Sequence, residues 1–123
     1  MITIYNFGRR FSTSTLRSLE DLWPDSDINE IDIRFDIDLH ANIHDQIREY
    51  VEFDMPGLSA DTKAFIALGG LSVGMAYLLS YLSQHQQLPW IVETIKLESL
   101  GGRYGLKGVY DSATGKIWLS TLS

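Results

Sequence analysis

The segment Asn6–Ser12, NFGRRFS, contains residue types suited to binding a phosphate group. Gly8 lets the backbone approach a ligand closely, because it has no Cβ atom. Arg9 and Arg10 carry forked guanidinium groups that match phosphate oxygens, and Ser12 adds a hydroxyl at the start of a predicted helix. A solvated loop with two surface arginines explains the segment equally well. The candidate ligand-binding residues here are Asn6, Phe7, Gly8, Arg9, Arg10 and Ser12.

A second candidate lies in Phe65–Ser72, FIALGGLS, where an apolar run meets two glycines and a serine. A strand that turns through glycines into a helix presents backbone N–H groups at the positive end of that helix. Ser72 can cap the helix or donate to a phosphate. The segment lacks the lysine of a Walker A motif and does not match GxGxxG, so a plain tight turn is an equal alternative. The candidate residues are Gly69, Gly70, Leu71 and Ser72.

A third candidate is the glycine-rich segment Gly101–Gly108, GGRYGLKG. Arg103, Tyr104 and Lys107 are suited to folding over an anionic ligand that carries a base, since the tyrosine can stack and the cations can pair. A flexible connector between two elements is the simpler alternative.

The histidines do not form a convincing metal site. His40 and His44 have the i, i+4 spacing of a shared metal, but the pattern lacks the glutamate of HExxH. A strand that runs into an acidic helix start explains them more simply, so we expect no metal and no cofactor. The spacing also yields no Ser-His-Asp triad and no carboxylate pair, which leaves enzymatic activity open.

Length and charge limit the class of protein. The chain has 123 residues, which suits one domain, and its net charge is −6, which argues against duplex nucleic acid as a partner. The absence of cysteine excludes disulfides and thiolate metal sites. The first residues, MITIYNFGRR, do not have the order of a secretory signal, so a cytoplasmic protein is expected.

Hydrophobic periodicity predicts alternating strands and helices followed by a hairpin. Four strands are expected at 1–7, 28–37, 65–68 and 90–97. Between them we expect helices at 16–23, with N-cap candidates in 12–14, at 39–53 and at 73–83. The alternation predicts an α/β fold with a parallel sheet in the order 2-1-3-4. Residues 1–97 form this core, and residues 98–123 add a glycine-rich connector and a β-hairpin at YDSATGKIW, with Gly115 at positive φ. The loops after strands one and three then meet at the switch point where such sheets bind ligands.

The uncharged run 64–82 is long enough to span a membrane. The glycines near its middle and its serines and tyrosines favour a strand, a turn and a helix instead, so no membrane partner is expected. The helix is apolar nearly all the way round, which predicts a homodimer that covers its second side. Burial by the C-terminal hairpin is the alternative.

These motifs resemble the small single-domain CARF-like proteins found beside type III CRISPR systems. The resemblance rests on LGGLS and LPW, which stand where that family has a glycine-rich turn and a loop before a strand, and it is clearest over Ala64–Leu97. It implies a Rossmann-like homodimer that binds a cyclic oligoadenylate, with the four-membered ring expected, across its two-fold axis. Assembly beyond a dimer is left open.

The resemblance implies three alternative activities. The first is sequestration of cyclic tetra-adenylate, which would regulate antiviral signalling. The second is a ring nuclease, in which a ribose 2′-OH attacks its phosphate and Arg9, Arg10, Ser12 or Ser72 assists. The third is a dimeric interaction module that does not depend on a nucleotide.

Overall fold

Six strands form one mixed sheet in the order β2-β1-β3-β4-β5-β6. The computed structural model of the chain describes residues 2–55, 65–68, 72–85, 87–97 and 101–119. The first four strands pair in parallel, which confirms the α/β class and the predicted order 2-1-3-4, and the last two pair antiparallel to their neighbours. The strands are Ile2–Asn6 (β1), Ile28–Asp32 (β2), Phe65–Ala67 (β3), Trp90–Leu97 (β4), Arg103–Asp111 (β5) and Ile117–Leu119 (β6).

Within the described ranges three α-helices lie between the parallel strands, and a polar side chain caps the start of each. The caps are Ser12, Asn42 and Ser72, whose side chains accept hydrogen bonds from backbone N–H groups three residues later. A π-helical turn, Tyr50–Asp54, continues the second helix, which is therefore shorter than predicted. The helices are Thr13–Leu22 (α1), Ile43–Glu49 (α2) and Val73–Gln84 (α3).

The sheet separates two hydrophobic clusters because successive side chains of a strand point to opposite faces. Ile4 of β1 belongs to the cluster under α1, together with Leu19. Its neighbour Tyr5 belongs to the opposite cluster, which packs under α2 and α3 and contains Ile47 and Leu78. The helices that follow β1 and β3 therefore leave on opposite faces, as the predicted switch point requires.

β2 ends five residues earlier than the alternating sequence pattern predicted. Its last ladder contact is the hydrogen bond from the Ile33 N–H to the Asn6 carbonyl, at 2.9 Å, because β1 ends at Asn6 and offers no further partner. Beyond that point the Tyr50 hydroxyl accepts from the Asp36 N–H at 3.0 Å. The segment 34–38 is thus held by a side chain of the π-helical turn.

The glycine-rich segment that was interpreted as a connector is largely a strand. Gly101 and Gly102 form a turn with φ of 68° and 79°, and Arg103 begins β5, which pairs along the whole length of β4. The sheet therefore has six strands where four and a separate hairpin were predicted. The pairing with β4 explains this difference, since it supplies backbone partners that local glycine content does not reveal.

The hairpin between β5 and β6 contains the predicted left-handed glycine. Gly115 has φ of 77°, and its N–H donates to the Asp111 carbonyl at 2.7 Å. The Asp111 carboxylate closes the turn by accepting from the Ala113 N–H at 3.0 Å and the Thr114 hydroxyl at 2.8 Å. The conformation of the backbone, rather than packing, selects glycine, because no atom lies within 4 Å of a Cβ built at this position.

We expect Gly115→Ala to lower the free energy of unfolding by about 1 kcal/mol, since alanine is strained at this φ. Gly115→Asn is the matched control and is expected to cost less, because asparagine tolerates the left-handed region. Urea unfolding followed by tryptophan fluorescence measures both. An alanine variant as stable as the wild type would contradict the assigned turn.

Candidate functional site

The carboxyl ends of β1, β3 and β4 lie at one edge of the sheet, because these strands are parallel. Residues 7–12 follow β1, Ser72 precedes α3, and β5 begins at the same edge, since Arg103 and Tyr104 pair with Leu97 and Lys96. We call residues 7–12, Ser72, Arg103 and Tyr104 the carboxyl edge. Parts of all three segments predicted to bind a ligand therefore meet here. Gly69, Gly70 and Leu71 lie outside the described residues.

Arg9 and Tyr104 form the central contact of the carboxyl edge. The Arg9 Cζ lies 4.7 Å from the centroid of the Tyr104 ring, a cation–π distance. The Ser12 hydroxyl donates to the Tyr104 carbonyl at 2.5 Å, which attaches the start of α1 to β5. Arg9, Arg10 and Arg103 are all exposed. The Arg9 guanidinium and the Tyr104 ring thus lie side by side, which suits a phosphate and a base.

The loop that carries Arg9 is held by Asn6, which is only 2% exposed. The Asn6 Oδ1 accepts from the Gly8 N–H at 2.8 Å, and its Nδ2 donates to the Arg9 carbonyl at 2.8 Å. The same Nδ2 donates to the Glu30 Oε2 at 2.7 Å, which also accepts from the Phe11 N–H at 2.9 Å. Asn6, predicted as a ligand-binding residue, is therefore placed to shape the loop.

Glu30 supports the loop that carries Arg9, but it was not among the residues predicted to form the site. It lies on β2, in the alternating segment INEIDIRFDI, where it resembles the other acidic residues of a solvated strand face. Its role comes from the parallel pairing that sets β2 beside β1. No local signal in the sequence distinguishes it from Asp32, its exposed neighbour on the same strand.

Phe7 packs on the side of the sheet that carries α2 and α3. Its ring meets Phe35 edge to face at 5.2 Å, and Phe35 in turn lies 5.0 Å from the Tyr50 ring. A Cβ on Gly74 would come within 2.9 Å of the Phe35 ring, so this helical glycine makes room for the aromatic cluster. Phe7 thus anchors the start of the loop within the hydrophobic cluster.

Two helix N-termini meet the carboxyl edge. The Ser12 hydroxyl caps α1 by accepting from the Thr15 N–H at 3.1 Å, and the exposed Ser72 caps α3 by accepting from the Met75 N–H at 3.1 Å. Both ends carry the partial positive charge of a helix N-terminus, which favours an anion. Gly69 and Gly70, which were predicted to add backbone N–H groups here, lie outside the described residues.

Lys107 is paired with an acidic residue of β4. It lies at an irregularity in the β4–β5 pairing, between the partners of Glu93 and Thr94, and its Nζ is 3.4 Å from the Glu93 Oε1. Arg103 and Tyr104 lie further along, at the start of β5. The three residues that the sequence grouped together thus lie at different levels of the strand.

His44 contributes to packing between α2 and α3. The His44 ring lies 5.4 Å from Tyr81, and its Nδ1 is 3.4 Å from the Tyr77 hydroxyl. Within the described ranges, no three His, Asp or Glu side chains are placed to hold a metal ion.

Burial raises the pKa of the Tyr5 hydroxyl, so this phenol stays protonated at neutral pH. Of the helices that are described, none has the length and apolar character needed to cross a membrane.

Together these features define an α/β protein with a parallel sheet core and a cationic, partly aromatic carboxyl edge. Comparison with protein-family models, with curated proteins and with solved structures finds no match to the chain. A function is therefore inferred from the chemistry of the carboxyl edge.

Proposed function

We propose that the chain binds cyclic tetra-adenylate at the carboxyl edge and sequesters it, which would regulate type III CRISPR antiviral signalling. The observation that carries this proposal is the Arg9–Tyr104 pair, whose charged and aromatic groups lie 4.7 Å apart. A ligand that alternates phosphates with adenine bases needs such neighbouring groups, because the guanidinium pairs with phosphate and the ring stacks on a base. The proposal implies a cytoplasmic protein with a Rossmann-like, CARF-like fold.

The distribution of charge supports a compact anionic ligand. The chain has a net charge of −6, so an extended phosphate backbone would meet a repulsive field over most of its length. Arg9 nevertheless lies over Tyr104, in the loop that leads into α1, and Arg10 and Arg103 adjoin these two residues in sequence. A small ring can contact these groups without approaching the acidic remainder of the surface.

The two-fold symmetry of a four-membered ring suits a homodimer, in which each copy contributes one carboxyl edge. The apolar helix α3 had suggested such a dimer, with cover by the hairpin as the alternative. Trp118 of the hairpin packs in the cluster under α1, on the face of the sheet opposite α3. Helix α2 of the same chain packs against α3, since Ile47 and Leu78 share one buried cluster and the His44 ring lies 5.4 Å from Tyr81. The proposed dimer is therefore supported by the symmetry of the ligand and not by an uncovered α3.

Ring cleavage is the second candidate function. The ligand's own 2′-OH would lose its proton and attack the adjacent phosphate, which forms a 2′,3′-cyclic phosphate as the bond to the 5′-oxygen of the next nucleotide breaks and that oxygen takes up a proton; Arg9 or Arg10 would stabilise the developing charge. The Ser12 hydroxyl donates to the Tyr104 carbonyl and accepts from the Thr15 N–H, so it is engaged in structure rather than poised for proton transfer. Ser72 remains the hydroxyl to test. The two hydrogen bonds of the Ser12 hydroxyl favour sequestration over cleavage. The third alternative, a dimeric interaction module, requires no ligand at the carboxyl edge.

Titration of radiolabelled cyclic tetra-adenylate with the protein, followed on native and denaturing gels, distinguishes these functions. We expect retention of the label at micromolar protein and recovery of an intact ring after single-turnover incubation. Linear tetra-adenylate of equal length is the matched control and is expected to bind more weakly, because its ends are not held in a ring. Linear product would indicate the nuclease, whereas no retention of the ring would leave the interaction module.

A further inference from the structure

Lys96 is the residue of β4 that lies beside Tyr104, although it was not among the residues predicted to form the site. The register of the antiparallel pair β4–β5 sets Lys96 directly opposite Tyr104. Residues opposed in this way point to the same face of the sheet, and their Cβ atoms are about 4.5–5.5 Å apart. The Lys96 side chain therefore starts next to the ring that the Arg9 guanidinium covers at 4.7 Å.

Both side chains point to the face of the sheet that carries α1. Leu106 is buried in the cluster under α1, and its partner on β4 is Thr94. Lys96 and Tyr104 each lie two residues from this pair, so the alternation of side chains along a strand places them on the same face. The position of Arg9 over the Tyr104 ring agrees, because Arg9 lies in the loop that leads into α1.

The two other cations near this pair of strands start on the opposite face. Arg103 directly precedes Tyr104, so its side chain alternates away from α1. The Lys107 Nζ lies 3.4 Å from the Oε1 of Glu93, which is three residues before Lys96 and thus on the other face. Among the described residues of β4 and β5, Lys96 is therefore the cation that shares a face with the Tyr104 ring.

The stem of Lys96 lies along the turn that precedes β5. A Cβ built on Gly102 would lie 3.4 Å from the Lys96 Cε, and the left-handed φ of 79° at Gly102 favours glycine there. Lys96 is exposed, and within the described ranges no carboxylate forms an ion pair with it. An ammonium group in this position can take a phosphate oxygen.

We propose that Lys96 binds a second phosphate of the ligand at the carboxyl edge, which makes the site selective for a nucleoside with a phosphate on either side. The inference rests on the proposed function, because Arg9 is taken to bind the first phosphate. Lys96 and Arg9 come from different elements and adjoin one aromatic ring. A nucleoside at Tyr104 can therefore reach one cation with each of its phosphates.

The recognised unit is a nucleoside 3′,5′-bisphosphate, which is the internal unit of every ring or strand of nucleotides. A diphosphate such as ADP carries the same number of phosphates, but both are on one side of the sugar. Charge alone would treat ADP and the bisphosphate almost alike, whereas two separate cations distinguish them by geometry. The placement of the phosphates, rather than their number, is then the property that Lys96 recognises.

Titration of isotope-labelled protein with adenosine 3′,5′-bisphosphate, followed by nuclear magnetic resonance, tests the proposal with a probe that needs no closed ring. We expect the wild type to bind this probe at least about tenfold more tightly than ADP, because one more charged contact is made. Lys96→Ala is expected to remove this preference by weakening the bisphosphate about tenfold, while the affinity for ADP changes less than about twofold. Lys96→Arg is expected to retain the preference, since a cation stays in place.

The two monophosphates assign each cation to its phosphate. Because Arg9 and Lys96 hold different phosphates, Lys96→Ala should weaken only one of 5′-AMP and 3′-AMP, and Arg9→Ala only the other. Lys116→Ala is the matched control, because Lys116 is an exposed lysine over Trp118, on the same face but in the hairpin at the opposite end of the sheet. Its affinity for the bisphosphate is expected to stay within about twofold of the wild type.

Circular dichroism verifies that each variant is folded, which the exposure of Lys96 leads us to expect. A wild type that binds the bisphosphate no more tightly than ADP would overturn the proposal, as would a Lys96→Ala variant that keeps the preference or weakens both monophosphates equally. Retention of labelled cyclic tetra-adenylate is scored on separate samples. A retained ring without the bisphosphate preference rejects the role of Lys96 alone, whereas the preference without a retained ring rejects the ring as ligand and keeps the role of Lys96.

Discussion

Replacement of Arg9 and Arg10 together by alanine is expected to weaken binding of cyclic tetra-adenylate at least about 100-fold, because each charged hydrogen bond to phosphate contributes about 1.5–3 kcal/mol. Both side chains are exposed, and the Arg9 guanidinium lies over the Tyr104 ring. The variant also removes the cation that orients this ring. Equilibrium titration of a labelled ring measures the loss, and thermal unfolding is expected to change little.

The matched control is Arg48→Ala combined with Lys116→Ala, which removes the same amount of charge. Arg48 lies on α2 and pairs with Asp45 at 3.3 Å, and Lys116 lies over Trp118 in the hairpin. The hairpin turn is near Pro89, just before β4 begins, so it is at the opposite end of the sheet from the carboxyl edge. We expect this variant to lose less than about threefold in affinity. Equal losses in both variants would indicate a general effect of charge, and full binding by the arginine variant would place the ligand elsewhere.

The parallel core could be predicted because its signals are local. Phe65, Ile66 and Ala67 are apolar on both faces, as a central strand requires, and all three are buried. Gly115 has the predicted positive φ because a tight turn imposes it. The end of β2 could not be predicted, since it depends on where β1 ends, more than twenty residues away in sequence. β5 was missed for the same reason, because its partner β4 decides its conformation.

The carboxyl edge shows the same division between local and distant information. The residue types of Arg9, Ser12 and Tyr104 marked them as candidates, but the contact between Ser12 and Tyr104 joins residues 92 positions apart. Glu30 had no signal, because its partner Asn6 lies on the neighbouring strand. Lys107 was grouped with Tyr104 by proximity in sequence, whereas in a strand three residues correspond to about 10 Å. Sequence thus supplies the chemical groups, and the sheet register decides which of them meet.

Asn6→Asp is expected to lower the free energy of unfolding by about 2–4 kcal/mol, because it removes a buried donor and sets two carboxylates together. In the wild type the Asn6 Nδ2 donates to the Glu30 Oε2 at 2.7 Å and to the Arg9 carbonyl at 2.8 Å. An aspartate has no proton for either acceptor at neutral pH. Urea unfolding measures the loss, which should shrink in acid as one proton is shared between the carboxyl groups.

Glu30→Gln is the matched control. Its carbonyl oxygen can still accept from the Asn6 Nδ2 and the Phe11 N–H, which both donate to one oxygen of the wild-type carboxylate, so we expect a cost under about 1 kcal/mol. Combined with Asn6→Asp, the new amide can rotate to donate to the introduced carboxylate. The double variant should therefore be more stable than the sum of the single changes by at least about 1 kcal/mol. Strict additivity would mean that Asn6 and Glu30 do not interact, and the loop that presents Arg9 would then need another support.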